Sequence, residues 1–104
     1  MVELITEQQF DSFLEINEKL LVVDVFAEWC GPCKKLSVVL DSLNTELKEK
    51  VKFVKIDADN NPGFMEKFSI QALPTVIVFK DGKEIDKVVG FSPDKLKSII
   101  QKAL

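Results

Sequence analysis

Two hydrophobic periods alternate along this chain, one of two residues and one of about 3.6, and the switches between them mark its elements. Val2 to Ile5 reads as a short first strand. Thr6-Glu7-Gln8-Gln9 has the form of a capping box, with Thr6 as N-cap and Gln9 reaching back. Phe10, Phe13, Leu14 and Asn17 share one face of the helix it opens. Leu20 to Phe26 is too continuously apolar for a half-exposed strand and belongs to a strand buried on both faces. A helix beginning at about Cys30 carries Leu36, Val39, Leu40, Leu43 and Leu47 at helical spacing. Val51 to Ile56 alternates with apolar residues on both faces. Asn60-Asn61-Pro62-Gly63 is a break, followed by a short helix from about Pro62 to Phe68. Thr75 to Phe79 and Glu84 to Val89 flank Lys80-Asp81-Gly82-Lys83, and Asp-Gly between two apolar runs is a hairpin signal. Ser92-Pro93-Asp94 opens the last helix with an N-cap, Pro at the first position and an acid in the first turn. Leu96, Ile99, Ile100 and Ala103 form its apolar stripe.

The resulting order is β-α-β-α-β-α-β-β-α, an α/β chain. A βαβ half followed by a hairpin half predicts one mixed five-stranded sheet with helices on both faces. No repeat, low-complexity tract or linker interrupts residues 1–104, so a single domain is expected. No apolar stretch of about 20 residues is present, which argues against a membrane span. The first residues lack the basic and apolar regions of a secretory signal, so a cytoplasmic protein is expected.

Charge narrows the chemistry. There are 17 acidic and 14 basic residues, and every basic one is Lys. No basic stripe of the kind that binds nucleic acid stands out. The chain has no His and no Tyr, which removes Cys-His proteolysis and His-mediated proton transfer. Its two cysteines fall together in Trp29-Cys30-Gly31-Pro32-Cys33, at a strand-to-helix junction. Thiols three residues apart at a helix start lie on one face, with α-carbons about 5–6 Å apart, close enough for a disulfide. The helix N-terminus favours negative charge on Cys30 and lowers its pKa from about 8.5, so Cys30 is the expected nucleophile. Cys33, a turn inside and expected to lie further from solvent, should keep a higher pKa and is the expected resolving thiol. Gly31 and Pro32 shape and stiffen the turn between them. Asp24 stands mid-run between Val23 and Val25, where a charge is costly without a role; the bland alternative is an edge strand with that side facing water. Burial would raise its pKa and make it a proton acceptor for Cys33, directly or through water. Lys55, central in the third strand, is a candidate partner for that carboxylate. Pro74, on the residues alone, reads either as a strand-start proline or as a cis peptide beside the thiols.

These residues resemble the thioredoxin family. Asp24 and Ala27-Glu28-Trp29-Cys30-Gly31-Pro32-Cys33-Lys34 match its active-site segment. Lys55, Asp57, Asp59, Asn61-Pro62, Leu73-Pro74-Thr75, Phe79-Lys80-Asp81-Gly82 and Gly90 fall where the family has its other marks. The resemblance covers nearly the whole chain and implies the thioredoxin fold. A lowered thiol pKa is a general property of this family, so that inference is not independent of it. The family's site would make Cys30 and Cys33 the redox pair, Asp24 the acid–base group, Lys55 its neighbour and Pro74 a cis-proline facing the disulfide. Trp29, Ala72, Leu73, Val89 and Gly90, with Phe91 at the rim, would receive an extended substrate segment. The implied activity is general protein-disulfide reduction, with re-reduction by a thioredoxin reductase and with disulfide-containing proteins as substrates. The implied protein is a monomer with no bound cofactor beyond the redox disulfide.

Phe26 stands where the family often has Trp, Val38 where many members have a helix-kinking Pro, and Phe91 where a small residue is common. Three rival readings accompany the resemblance. One is an oxidase or isomerase on the same fold, against which the Gly-Pro filler and the missing His argue. Another is a zinc site, which ordinarily needs four Cys or His ligands where this chain has two. The last is a binding module whose thiols are incidental.

Overall fold

The computed structural model describes residues 1–16 and 19–104, with the backbone alone at Ile16. Asn17, which the spacing adds to the first helix face, lies outside the described residues. The order is β1 (Glu3–Leu4), α1 (Glu7–Ile16), β2 (Leu20–Phe26), α2 (Gly31–Leu47), β3 (Val51–Asp57), α3 (Pro62–Lys67), β4 (Thr75–Lys80), β5 (Lys83–Val89) and α4 (Pro93–Ala103). Strand β1 is shorter than the Val2–Ile5 segment expected of it: Val2 gives its N–H to Asp41 Oδ1 at 3.1 Å instead of to the ladder, while Ile5, past its end, still donates to the Lys55 carbonyl at 2.9 Å. A 3-10 turn at Ala58–Asn60, which the pattern does not predict, leads into α3.

The strands form one sheet in the order β1-β3-β2-β4-β5. Strands β1, β3 and β2 are mutually parallel, and β4 runs antiparallel to both β2 and β5. This is the mixed sheet expected when a βαβ half is joined to a hairpin. Period-two alternation sends Leu20 and Val22 of β2 toward α2 and α4, and Leu21, Val23 and Val25 toward α1 and α3. Strand β3 divides in the same way, with Val51 and Phe53 on the first face and Val54 and Ile56 on the second. The α1/α3 face is aromatic: Phe10, Phe64, Phe68 and Phe79 pack with ring centroids 4.6 to 5.7 Å apart, mostly edge-on or tilted, the arrangement ring quadrupoles favour. Phe13 and Leu14, half-buried, extend this cluster along α1.

Local signals decide the element ends. Both halves of the capping box form, with Thr6 N–H donating to Gln9 Oε1 at 2.9 Å and Gln9 N–H donating to Thr6 Oγ1 at 3.3 Å. Asp81 and Gly82 both take positive φ, 53° and 80°, as a two-residue I′ hairpin requires. Ser92 holds the N-cap position of α4 with Pro93 following, but its hydroxyl makes no cap bond. Helix α2 runs unbroken past Val38, which is 72% exposed. No helix among the described residues is long and apolar enough to cross a membrane.

Helices α1 and α3 are tied at their N-termini by a polar clasp with no counterpart in the local sequence signals. Glu7 Oε2 accepts from Phe64 N–H at 2.6 Å and so caps α3 from another helix. Buried Asn61 donates to the Asp57 carbonyl and accepts from Glu7 N–H, each at 2.8 Å. Gly63 permits this approach, since a Cβ there would lie 2.7 Å from Glu7 Oε2. Truncating Asn61 to Ala strands a donor and an acceptor. It should lower unfolding free energy by roughly 1–3 kcal/mol, measured by urea denaturation.

Candidate active site

The central strand ends at Phe26, and Ala27-Glu28-Trp29-Cys30 carries the chain from there to the start of α2. Cys30 is the helix N-cap, with extended backbone (φ −88°, ψ 111°), and Pro32 sits in the first turn. Cys33 N–H donates to Cys30 Sγ at 3.2 Å, and Lys34 N–H donates to the Cys30 carbonyl at 3.3 Å. The cysteines are joined as a disulfide with α-carbons 5.2 Å apart, within the separation expected of them. The amide aimed at Cys30 Sγ and the unpaired N–H groups of the first turn favour a thiolate there once the bond is reduced. Cys30 and Cys33 are 5% and 3% exposed, so depth hardly separates them. What distinguishes them is position, one at the cap and the other inside the first turn.

Asp24 shares parity with Leu20 and Val22 on β2, which places its carboxyl on the α2 side of the sheet. It is 2% exposed, and its Oδ1 has no hydrogen-bond partner among the described residues. Burial pushes its pKa from 3.8 up to about 7, opposed by the positive charge of Lys55. Lys55 is its cross-strand partner in the parallel β2–β3 ladder. The two do not form an ion pair among the described residues. The Lys55 ammonium instead lies 5.5 Å from the centroid of the half-buried Phe26 ring. A cleft of about 130 Å³ joins these groups, with Asp24, Lys55, Cys33, Lys34, Glu28 and Ser37 on its wall. That volume holds several waters, so Asp24 and Cys33 can exchange a proton through one.

A second segment closes the site. The Leu73–Pro74 peptide is cis, the sharper of the two readings of Pro74. Leu73 packs against the cluster of Ala27, Cys30 and Cys33. Thr75 Oγ1 donates to the Ala72 carbonyl at 2.7 Å, which ties that loop down. Gly90 N–H donates to the Pro74 carbonyl at 2.8 Å, with Gly90 at φ 86°, a conformation that favours glycine. Ala72, Leu73, Pro74 and Gly90 therefore form one connected ledge. Val89 is paired with Thr75 at its edge. Val89 and Phe91 are 57% and 44% exposed and continue the ledge as an apolar rim. Trp29 is 71% exposed, yet its Nε1–H donates to Asp59 Oδ2 at 2.8 Å, which holds the indole in place. Gly31 and Pro32 are exposed between the cysteines.

Sequence reasoning assigned no role to three contributors. Asp59 reaches Trp29 from 30 residues away, and nothing local signals that pairing. Glu28 and Ser37 line the Asp24 cleft. Ser37 was detectable in principle, because it lies one helical turn beyond Cys33 on the same face. No group of three or more His, Cys, Asp or Glu that could hold a metal converges among the described residues.

The comparisons agree with this geometry. A family model described as Thioredoxin matches residues 1–102. The thioredoxin of Staphylococcus epidermidis is 44% identical over 101 residues, spanning 96% of this chain and 95% of that protein. The Staphylococcus aureus thioredoxin is 43% identical over the same shares. Among solved structures, oxidized mitochondrial thioredoxin 3 of Saccharomyces cerevisiae superposes with a TM-score of 0.90 at 33% identity, covering 97% of this chain and 94% of that one. Plasmodium falciparum thioredoxin superposes with a TM-score of 0.91 at 36% identity, covering 99% of this chain and 100% of that one. With the Cys30–Cys33 disulfide at the family's active-site position on this fold, the chain belongs to the thioredoxin family and is a thiol–disulfide oxidoreductase.

Proposed function

We propose that the chain is a general protein-disulfide reductase in which Cys30, Cys33 and Asp24 divide the work. The observation that carries this reading is the buried Asp24 carboxyl, whose Oδ1 has no hydrogen-bond partner among the described residues, on the wall of the cleft that also reaches Cys33. The Cys30 thiolate attacks one sulfur of a substrate disulfide. That bond breaks, the departing sulfur leaves as a thiolate, and a mixed disulfide forms. Cys33 then gives its proton to Asp24 through the cleft and attacks Cys30 Sγ. The second substrate thiolate is released, and the Cys30–Cys33 bond carries away the two electrons' worth of oxidation. Lys55 limits how far burial raises the Asp24 pKa and keeps the carboxyl able to titrate near neutrality.

The substrate segment lies extended along the ledge of Ala72, Leu73, Pro74 and Gly90, where main-chain groups offer strand-like pairing. Trp29, Val89 and Phe91 supply apolar contact around it. Gly31 and Pro32 leave the approach to Cys30 uncluttered by side chains and favour the reducing direction. The protein acts as a single domain over residues 1–104, monomeric and cytoplasmic. It needs no bound cofactor and is recharged by a thioredoxin reductase. Oxidation of substrates, the rival direction, is favoured by no residue of the site.

Three outcomes test the assignment. Cys30→Ser should abolish turnover, whereas Cys33→Ser should accumulate mixed disulfides visible by mass spectrometry; normal turnover by Cys33→Ser would refute the division of roles. Asp24→Asn should slow disulfide reduction near neutral pH by about tenfold or more, as read by stopped-flow kinetics. The same change should stabilise the oxidised protein in a pH-dependent manner. Below pH 3.8 the carboxyl is protonated both folded and unfolded, so little is gained. As pH rises from 3.8 through about 7, the unfolded chain releases a proton that the folded one retains, and wild-type stability declines. The gain from Asn should therefore grow across that window to about 2–4 kcal/mol and then level off. Denaturation series at several pH values would show it, and a pH-independent difference would sink the buried-acid reading.

A further inference from the structure

One group on the wall of the Asp24 cleft is not used by the redox cycle described above. Ser37 lies inside α2, four residues beyond Cys33, so the two project from one face of the helix. It is half-buried and opens onto the cleft. A serine within a helix ordinarily turns its hydroxyl back to the carbonyl four residues earlier or leaves it to solvent. Thr45, on the same helix, takes the first course, with Oγ1 donating to the Asp41 carbonyl at 3.1 Å. Ser37 makes no such bond to Cys33, and its hydroxyl has no hydrogen-bond partner among the described residues.

The groups that face Asp24 across the cleft come from three elements. They are Lys55 on β3, Cys33 and Lys34 on α2, and Glu28 on the connecting loop. Each of the two lysines can only donate while charged, and Glu28 while charged can only accept. Ser37 carries the only hydroxyl on the wall, and a hydroxyl can accept one hydrogen bond while donating another without changing charge. The cleft is large enough for a short file of waters between Asp24 and the surface.

We propose that Ser37 is a positioning residue of the redox cycle, its hydroxyl ordering the waters through which the proton taken up by Asp24 returns to solvent. This inference rests on Asp24 being the acceptor of the Cys33 proton. In that return, the Asp24 carboxyl gives its proton to a cleft water. That water passes one to Ser37 Oγ as the Ser37 O–H donates its own outward, so one proton leaves and no electron moves. Ser37 touches neither substrate nor sulfur in this role.

Steady-state reduction of insulin with excess dithiothreitol recycling the protein, so that Asp24 must shed its proton in every cycle, followed across a pH series, tests the proposal. Ser37→Ala should slow the reaction about three- to tenfold below the pH at which Asp24 titrates. Millimolar imidazole, a small diffusible proton carrier, should restore it. Ser37→Thr, which keeps the hydroxyl, should behave as wild type. The equilibrium of the Cys30–Cys33 pair against glutathione should not move. An unaltered pH profile in Ser37→Ala would overturn the inference. So would a loss that shifts the redox equilibrium in proportion and that neither Thr nor imidazole repairs, because that outcome is structural. Asp24→Asn run in parallel separates the two levels. If it slows reduction while Ser37→Ala does not, this inference alone fails; if it has no effect, the acceptor assignment fails first.

Discussion

Burial of β2 on both faces is the constraint from which the rest of the structure follows. Leu20 to Val25 lie beneath helices on either side and between β3 and β4 along the edges. A strand so enclosed has no water to satisfy a polar group, so its backbone must be fully paired and its side chains apolar. Its exit point is equally determined: the chain leaves at Phe26 and must turn at once into α2 to cover the sheet. The two thiols occupy that turn, where a rigid strand meets a helix dipole. Their separation and their electrostatic setting are consequences of the packing of the strand below them.

The exception within β2 is informative. Asp24 replaces one apolar contact with a carboxylate whose Oδ1 finds no partner among the described residues, which works against stability above the pH at which it ionises. Lys55 compensates only at a distance, since it lines the same cleft without forming an ion pair. A tight pair would hold the carboxyl ionised and pull its pKa down, leaving it a poor proton acceptor. The looser arrangement leaves the group near neutrality, where a proton acceptor is most effective. In the role proposed for it, stability and activity are opposed at this residue, as they commonly are where function requires a buried charge.

The other half of the site arrives from the far end of the chain through sheet register. Because β4 runs antiparallel to β2 with Val25 opposite Thr75, the start of β4 lies beside the end of β2. That juxtaposition brings Leu73 onto the cysteine cluster and, through the Pro74 carbonyl, anchors Gly90 and the rim residues Val89 and Phe91. Trp29 is steadied in the same way by Asp59 from the turn after β3. The site is therefore assembled from loops at one end of the sheet, joined by the Trp29–Asp59 and Gly90–Pro74 hydrogen bonds.

The amino-acid order by itself determined the elements, the mixed sheet, the central strand and the redox character of Cys30 and Cys33. Each of those follows from short-range periodicity, turn chemistry or the absence of His, and short-range effects are written in adjacent residues. The capping box at Thr6–Gln9 and the Asp81-Gly82 hairpin formed for the same reason. Not every local signal was realised: the Val2 N–H went to Asp41 instead of to the ladder, and the Ser92 hydroxyl made no cap bond. Tertiary structure alone decided that Glu7 caps α3, that Asp59 holds Trp29, and that Asp24 and Lys55 share a cleft without pairing. These depend on distances between residues remote in sequence, set by strand register and helix packing, and no window along the chain contains them.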